Sequence, residues 1–381
     1  MRTIQLGMEW LGEKTGGLNR VYHELVRRLP EAGVEVRGLV VGSDAVHEAS
    51  GGVVHGVAPH TASLPARLRA LRAAARALLD ADPDAVVVAH FALYAIPLLD
   101  VLRDRRRRFV VHFHGPWAQE AEAEHARGLM PRLKAGVERS VYRRADACIV
   151  LSSAFGRILH DSFDVPWEKI HVIPGGVDCS RFAVDATRAA AREYLGWPTD
   201  RRIVLAVRRL TRRMGLGQLV AAVARLRERV PDVLVLIAGS GPLDSELDTQ
   251  IRRAGVEAHC RLIGFVPEED LPLAYRAADL TVVPSVALEG YGLIVPESLA
   301  AGTPAMVTPV GGLPETVDGL SPQLVFADVS AEAIAQGLGD ALTGALPLPT
   351  SEECRRFAQA QNDWSAVVAQ TRRVYEAVLT P

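Results

Sequence analysis

The sequence predicts an α/β protein of two doubly wound, Rossmann-like domains, on three observations. Short, nearly continuous apolar runs alternate with segments of helical period from end to end. Strands that are apolar at almost every position belong to parallel sheets covered by helices on both faces. At 381 residues the chain exceeds what one hydrophobic core ordinarily covers. The βαβα order also runs through the chain twice, and right-handed crossovers turn such an order into open sheets.

In the first half, TIQLGM (3–8), VEVRGLVV (34–41), AVVVAH (85–90), RFVVHFH (108–114) and ACIVLS (147–152) read as strands. LNRVYHELVRRLPEAG (18–33) has a helical period and closes on Gly33, a residue type that tolerates the left-handed C-cap. In the second half the strands are RIVLAV (202–207), VLVLIAG (233–239), CRLIG (260–264), LTVVPS (280–285), PAMVTP (304–309) and LVF (324–326). Helical segments over 216–230, 243–254, 268–278, 292–302 and 331–342 separate them. The break between domains is expected near 176–200, which sets the first domain at 1–180 and the second at 181–357. The tail carries Trp364, Val368, Val374, Tyr375 and Val378 along one amphipathic helix. With no strand after it, this helix (about 358–381) must pack on a domain already built, and the first is the expected one. Ligands in open α/β sheets bind beyond the carboxyl ends of the strands, so the cleft faced by two such domains is the expected site.

A net charge of −2 gives no electrostatic case for nucleic acid. Lys and Arg together number 43, yet only Lys14, Lys134 and Lys169 are lysines; arginine is also the better bidentate ligand for phosphate. Cys148, Cys179, Cys260 and Cys354 lie far apart, which suits a reduced compartment and no structural zinc. Neither an apolar leader at MRTIQLGMEW nor a membrane-length apolar run is present, so a cytoplasmic protein is expected. Arg67, Arg69, Arg72 and Arg76 share a helix with Leu64, Leu68, Leu71, Leu78 and Leu79, an interfacial pattern reinforced by Arg105–Arg108. A solvated helix face explains it more simply than transient contact with an anionic membrane.

Gly16-Gly17 follows the first strand and opens a helix, where backbone N–H groups can approach an anion; an ordinary βα turn looks the same. Its spacing is not GxGxxG, and neither is that of Gly215-Leu216-Gly217 or Gly239-Ser240-Gly241, which weakens an oxidoreductase reading. His112 and His114 share one face at a strand end, but no third ligand at zinc spacing is evident, so no metal is assigned. Asp80, Asp82 and Asp84 precede a strand beside Pro83 and read as a solvated turn. Arg208-Arg209-Leu210-Thr211-Arg212-Arg213-Met214-Gly215 follows a strand and opens a helix, combining fixed cations with oriented N–H groups as a diphosphate requires. Glu289 and Glu297 flank the turn in EGYGLIVPE, and a carboxylate accepting two neighbouring hydroxyls suits a sugar ring. Pro296 fits the first turn of the helix that holds Glu297, where an acid also compensates the helix dipole.

In order along the chain, GG (16–17), HFHG (112–115), VIPGGVD (172–178), RRLTRRMG (208–215), AGSGPL (238–243), GFVPEEDLPLAYRAADLTVVPS (264–285), EGYGLIVPESLAAGTPAMVTPVGGLPE (289–315) and the Trp364 helix resemble a GT-B glycosyltransferase of the retaining, family 4 type (group 1). The resemblance spans nearly the whole chain and is densest over 202–315. It implies a nucleotide-diphosphate sugar as co-substrate, a UDP-sugar first, a hydroxyl acceptor, and no other cofactor. It implies that Glu297 binds the ribose, that Glu289 faces the hydroxyls of the donor sugar, and that the N–H groups of Gly290, Tyr291, Gly292 and Leu293 meet sugar and diphosphate. Arg209 matches a diphosphate-binding arginine, His114 the histidine near the transferred sugar, and Gly16-Gly17 the loop at phosphates and acceptor. Phe265 and Val266 match the segment beside the nucleobase. Met214 stands where the family commonly has lysine, so Arg213 or Arg212 is expected to supply the second cation.

The implied chemistry is metal-independent transfer of a hexose-type sugar with retention, the leaving diphosphate stabilised by arginines and N–H donors. A nucleotide-sugar epimerase or hydrolase on the same scaffold, and a non-catalytic nucleotide-sugar-binding protein, are the alternatives. The acceptor pocket is expected from loops 9–19, 43–63 and 91–97, with Trp117 and the acids Glu120, Glu122 and Glu124 able to meet a polar or cationic acceptor.

Overall fold

In a computed structural model, the described residues are 1–14, 16–104, 106–119 and 129–380. They divide into two compact units, Met1–Gly175 with Trp364–Pro381 and Gly176–Asp363. The first holds a parallel sheet of β1 (Arg2–Glu9), β2 (Glu35–Val41), β3 (Val54–Gly56), β4 (Val86–Ala89), β5 (Phe109–Phe113), β6 (Ala147–Val150) and β7 (Ile170–Val172). Their order is β3-β2-β1-β4-β5-β6-β7. The chain winds outward from β1 to β3, then returns to lay β4 on the other side of β1, with Ile4 opposite Val87. The strand order therefore reverses between β1 and β4, and crevices for ligands open at the carboxyl side of such a switch point. Val86, Val87, Val88 and Ala89 are all fully buried, which is why β4 is apolar at every position. The edge strands β3 and β7 are three residues each, too short and too polar (VHG, IHV) for any periodicity to announce them.

The second unit repeats the scheme with β8 (Arg202–Val207), β9 (Val233–Ala238), β10 (Cys260–Gly264), β11 (Leu280–Val283) and β12 (Ala305–Val307), ordered β10-β9-β8-β11-β12 and all parallel. Its switch point lies between β8 and β11, with Leu280 opposite Val204.

Several expectations are corrected. LVF (324–326) is not a strand: Pro322 starts a 3-10 turn over Pro322–Leu324, and only Val325 bridges to Val307. The helix expected over 18–33 ends at Arg28, because Pro30 brings no N–H to extend the ladder; a 3-10 turn over Pro30–Ala32 then closes on Gly33 at φ 78°. Asp82 does not sit in a solvated turn; it is buried, its Oδ2 2.9 Å from Arg2 Nε. In the helix Leu64–Ala81, Leu71 and Leu79 belong to the core and Arg72 pairs with Asp100 at 2.6 Å, while Arg105 lies outside the described residues. The division between units falls at Gly175/Gly176, at the near edge of the expected range. The helix Trp364–Leu379 belongs to the first unit, with Trp364, Val367, Val368, Thr371, Val374 and Tyr375 buried. The four cysteines are free and buried. Among the described residues no helix is long and apolar enough to cross a membrane.

Candidate functional site

In the second unit the switch point is occupied by charge. Arg208 leaves the carboxyl end of β8, and Ser285 and Glu289 follow β11. The Arg208 guanidinium donates through Nη2 to Glu289 Oε2 and to Ser285 Oγ at 2.6 Å, touching Met214 Sδ; Ser285 Oγ in turn donates to Glu289 Oε2 at 3.0 Å. The two charged side chains are only 6% and 13% exposed, so this is an ion pair inside the fold. Burial pushes the Glu289 carboxyl up, but the charge and hydrogen bond of Arg208, the charge of Arg213 and the Ser285 hydroxyl outweigh it and hold the group below the usual carboxylate range.

The loops that carry this pair touch at the backbone. Gly215 sits at φ 69°, and a Cβ there would lie 1.7 Å from Pro284 O. Gly311 sits at φ 56°, a Cβ there would lie 2.0 Å from Glu289 O, and Gly312 N–H donates to that same carbonyl at 2.9 Å. Leu288, next to Glu289, is held at φ 48°, an uncommon conformation for a residue with a side chain, and its carbonyl accepts from Arg213 Nη1 at 2.9 Å. Of the expected second cations, Arg213 thus adjoins the site, whereas Arg212 pairs with Glu246 at 3.0 Å with both side chains about half exposed. Arg209 is exposed.

Glu297 lies on the helix Ile294–Ala300, shorter than the segment expected over 292–302. It is buried and accepts from Tyr275 Oη at 2.9 Å. Tyr291 turns its ring into the unit; its hydroxyl accepts from Asn362 Nδ2 at 2.7 Å, and burial pushes its pKa up to about 12. Among the described residues, no turn or ladder bond uses the N–H groups of Gly290, Tyr291, Gly292 and Leu293. Phe265, just past β10, is 64% exposed beside half-buried Val266. Two polar atoms in the loop after β8, Arg208 Nε and Thr211 Oγ1, are buried with no partner among the described residues. Buried polar atoms in native folds are nearly always satisfied, so these two leave hydrogen-bonding capacity unused in the loop that carries Arg208.

In the first unit, Gly16 caps the helix Gly17–Arg28, and a Cβ on Gly17 would meet nothing within 4 Å. Protein packing therefore does not require that glycine. His112 lies within β5 and His114 just beyond it, and a third histidine, His90, joins them from the end of β4. Ligand atoms of the three come within 4.8 Å of one another. His90 stacks on His112 at 4.4 Å and 11°, and on His114 at 5.5 Å and 20°. Imidazole lone pairs lie in the ring plane, so stacked rings do not aim three of them at one point, as zinc at about 2.0–2.1 Å requires. Burial pushes His90 and His112 well below the ordinary imidazole range and His114 down to about 4. Trp117 lies under Lys134 Nζ at 4.4 Å; Glu120, Glu122 and Glu124 lie outside the described residues.

Arg208, Ser285 and Tyr275 in the second unit, and separately His90 in the first, touch the expected residues and were left unassigned by sequence reasoning. Adjacent arginines at a strand end look alike until a register decides which one points inward. His90 closes its own strand, and only the pairing of β4 with β5 brings it to His114.

A family model described as glycosyl transferases group 1 matches residues 187–364, and one described as glycosyltransferase family 4 matches residues 15–181. The D-inositol 3-phosphate glycosyltransferase of Mycolicibacterium smegmatis is 36% identical over 270 residues, 68% of this chain and 60% of that protein. A GDP-mannose-dependent phosphatidylinositol monomannoside mannosyltransferase of the same organism is 34% identical over 216 residues, 54% of this chain and 56% of that protein. The matches thus span less than two thirds of these two relatives, although a glycogen synthase of Mycobacterium tuberculosis is 29% identical over 99% of this chain and 95% of its own. Among solved structures, sucrose-phosphate synthase of Thermosynechococcus elongatus superposes with a TM-score of 0.80 at 23% identity, covering 99% of both chains. Anabaena HepE in complex with UDP-glucose superposes at 0.75 and 19%, covering 99% of this chain and 100% of its own, which establishes a shared two-domain Rossmann-like fold.

Proposed function

The chain belongs to the group 1 glycosyltransferases, and from that premise we propose that it transfers a hexose-type sugar, with retention and without a metal, from a nucleoside-diphosphate sugar to a hydroxyl acceptor. The observation that carries the proposal is the switch point of the second unit, where Arg208 and Arg213 adjoin Glu289 in a loop with two orphaned polar atoms. Glu297 holds the ribose hydroxyls, Glu289 the hydroxyls of the donor sugar, and Phe265 and Val266 flank the base. Arg208, Arg209, Arg213 and the N–H groups of Gly290–Leu293 stabilise the diphosphate, with Gly16-Gly17 leaving room at phosphates and acceptor. As the bond from the anomeric carbon to the phosphate oxygen breaks, charge grows on the diphosphate where these donors wait. The acceptor oxygen bonds to the same face of that carbon, and its proton passes to a phosphate oxygen of the leaving group. No side chain acts as nucleophile, which suits a Glu289 already engaged by Arg208. UDP-glucose is the first donor to test, because HepE is solved with it.

Thermal shift against UDP-, GDP- and ADP-sugars, followed by mass spectrometry of candidate acceptors, tests the assignment. One donor class should stabilise the protein and give a product heavier by one hexosyl unit. Donor consumption that yields only an epimer or free sugar would overturn it. Arg209→Ala and Arg213→Ala should each lower turnover by roughly 10²-fold, the effect of removing one transition-state donor. Wild-type rates in the Arg213 variant would remove it from the phosphate site. Glu297→Gln should weaken nucleotide binding roughly tenfold in calorimetry, the loss of one charge-assisted hydrogen bond. Unchanged affinity would disprove the ribose assignment.

A further inference from the structure

The hydrogen bonds around His114 run in one direction only. Thr3 Oγ1 donates its single proton to Glu35 O at 3.2 Å, so toward Gln5 it can only accept. Gln5 Nε2 donates to it at 3.3 Å and to Tyr375 Oη at 3.5 Å, which turns Gln5 Oε1 to His90. That carbonyl oxygen has no proton, so the hydrogen on the 3.1 Å contact is on His90 Nε2. A neutral imidazole carries one proton, which leaves His90 Nδ1 a bare acceptor. His114 Nε2 faces it at 3.2 Å and must therefore be the donor. The relay begins at a backbone carbonyl and ends with a lone pair on His114 Nδ1.

We infer that Gln5 and His90 are positioning residues that fix His114 in its Nε2–H tautomer, so that Nδ1 accepts a hydrogen bond from a hydroxyl of the transferred sugar. The sugar as partner rests on the transferase reading; the tautomer does not. Stacking supports the neutral state, since three imidazolium rings at these separations would repel one another, and burial opposes each charge. Tyr375 closes the arrangement from the terminal helix: its hydroxyl accepts from Gln5 Nε2 and lies 2.7 Å from His112 Nε2, which keeps that nitrogen out of the Gln5–His90 link.

Nitrogen-15 spectra of the histidine-labelled full chain at neutral pH, assigned through ring connectivities so that no variant need fold, read the tautomers directly. Pyrrole-type Nε2 and pyridine-type Nδ1 are expected at both His90 and His114. A His114 that carries its proton on Nδ1, or is an imidazolium, overturns the relay whether or not transfer is ever detected. Gln5→Leu should scramble the tautomer at His90 and His114 and lower kcat roughly tenfold with a smaller change in donor KM, the loss of one oriented hydrogen bond. A drop in kcat for Gln5→Leu with native tautomers would reduce Gln5 to a packing residue and overturn the inference.

Discussion

Arg208→Ala is expected to abolish measurable transfer and to destabilise the second unit by about 3–5 kcal/mol, because it strands the Glu289 carboxylate in the interior without its cation. Activity is lost for a second reason, since the arginine is also assigned to the leaving diphosphate. The pH dependence separates this from ordinary cavity formation. In the wild type the Glu289 carboxyl is held low, so its contribution to stability is present above its unfolded pKa and is lost as pH falls through the folded one. In the variant desolvation is opposed only by the Arg213 charge and the Ser285 hydroxyl, so that pKa rises and acidification protonates Glu289 within the fold and relieves the strain. The gap in Tm between the two proteins should therefore narrow on going from neutral pH to about 5. Arg208→Ala/Glu289→Gln should regain most of the stability and none of the activity. A single variant that turns over at the wild-type rate would show that the ion pair serves the fold alone.

Much of the scaffold was legible, and the reasons are particular. β4 and β9 are enclosed on both faces, so VVVA and VLVLIA are apolar throughout and stand out in the sequence. β3 and β7 sit at sheet edges with three residues each and leave no pattern. Val325 pairs as a single bridge, so its apolar neighbours looked like a strand that never formed. Glu289 and Glu297 drew attention because a turn and a helix start lie between them, eight positions apart in sequence. Arg208 was passed over for Arg209 because strand register, which a local reading does not fix, decides which arginine turns inward. His90 and Gln5 depend on strand order: β1, β4 and β5 are neighbours in the sheet but scattered along the chain.

Gly311→Ala is expected to lower kcat by roughly 10²-fold or more, because the geometry of Glu289 depends on a missing methyl group. The new Cβ would fall 2.0 Å from Glu289 O, an overlap of backbone against backbone that no rotamer can relieve. The carbonyl must move, and the Gly312 N–H bond of 2.9 Å that pins it must lengthen or break. Glu289 then leaves Arg208 Nη2, while Glu297, fixed on its own helix by Tyr275, stays in place. The left-handed φ alone costs about 1–2 kcal/mol for an L-residue and must be told apart from the overlap. Gly344→Ala provides that control: Gly344 has φ 80°, but a Cβ there would meet nothing within 4 Å. Its variant should lose Tm by a similar strain yet transfer sugar normally. If Gly311→Ala did the same, the position of the Glu289 backbone would be irrelevant to catalysis, and the sugar-facing role of its carboxylate would fall with it.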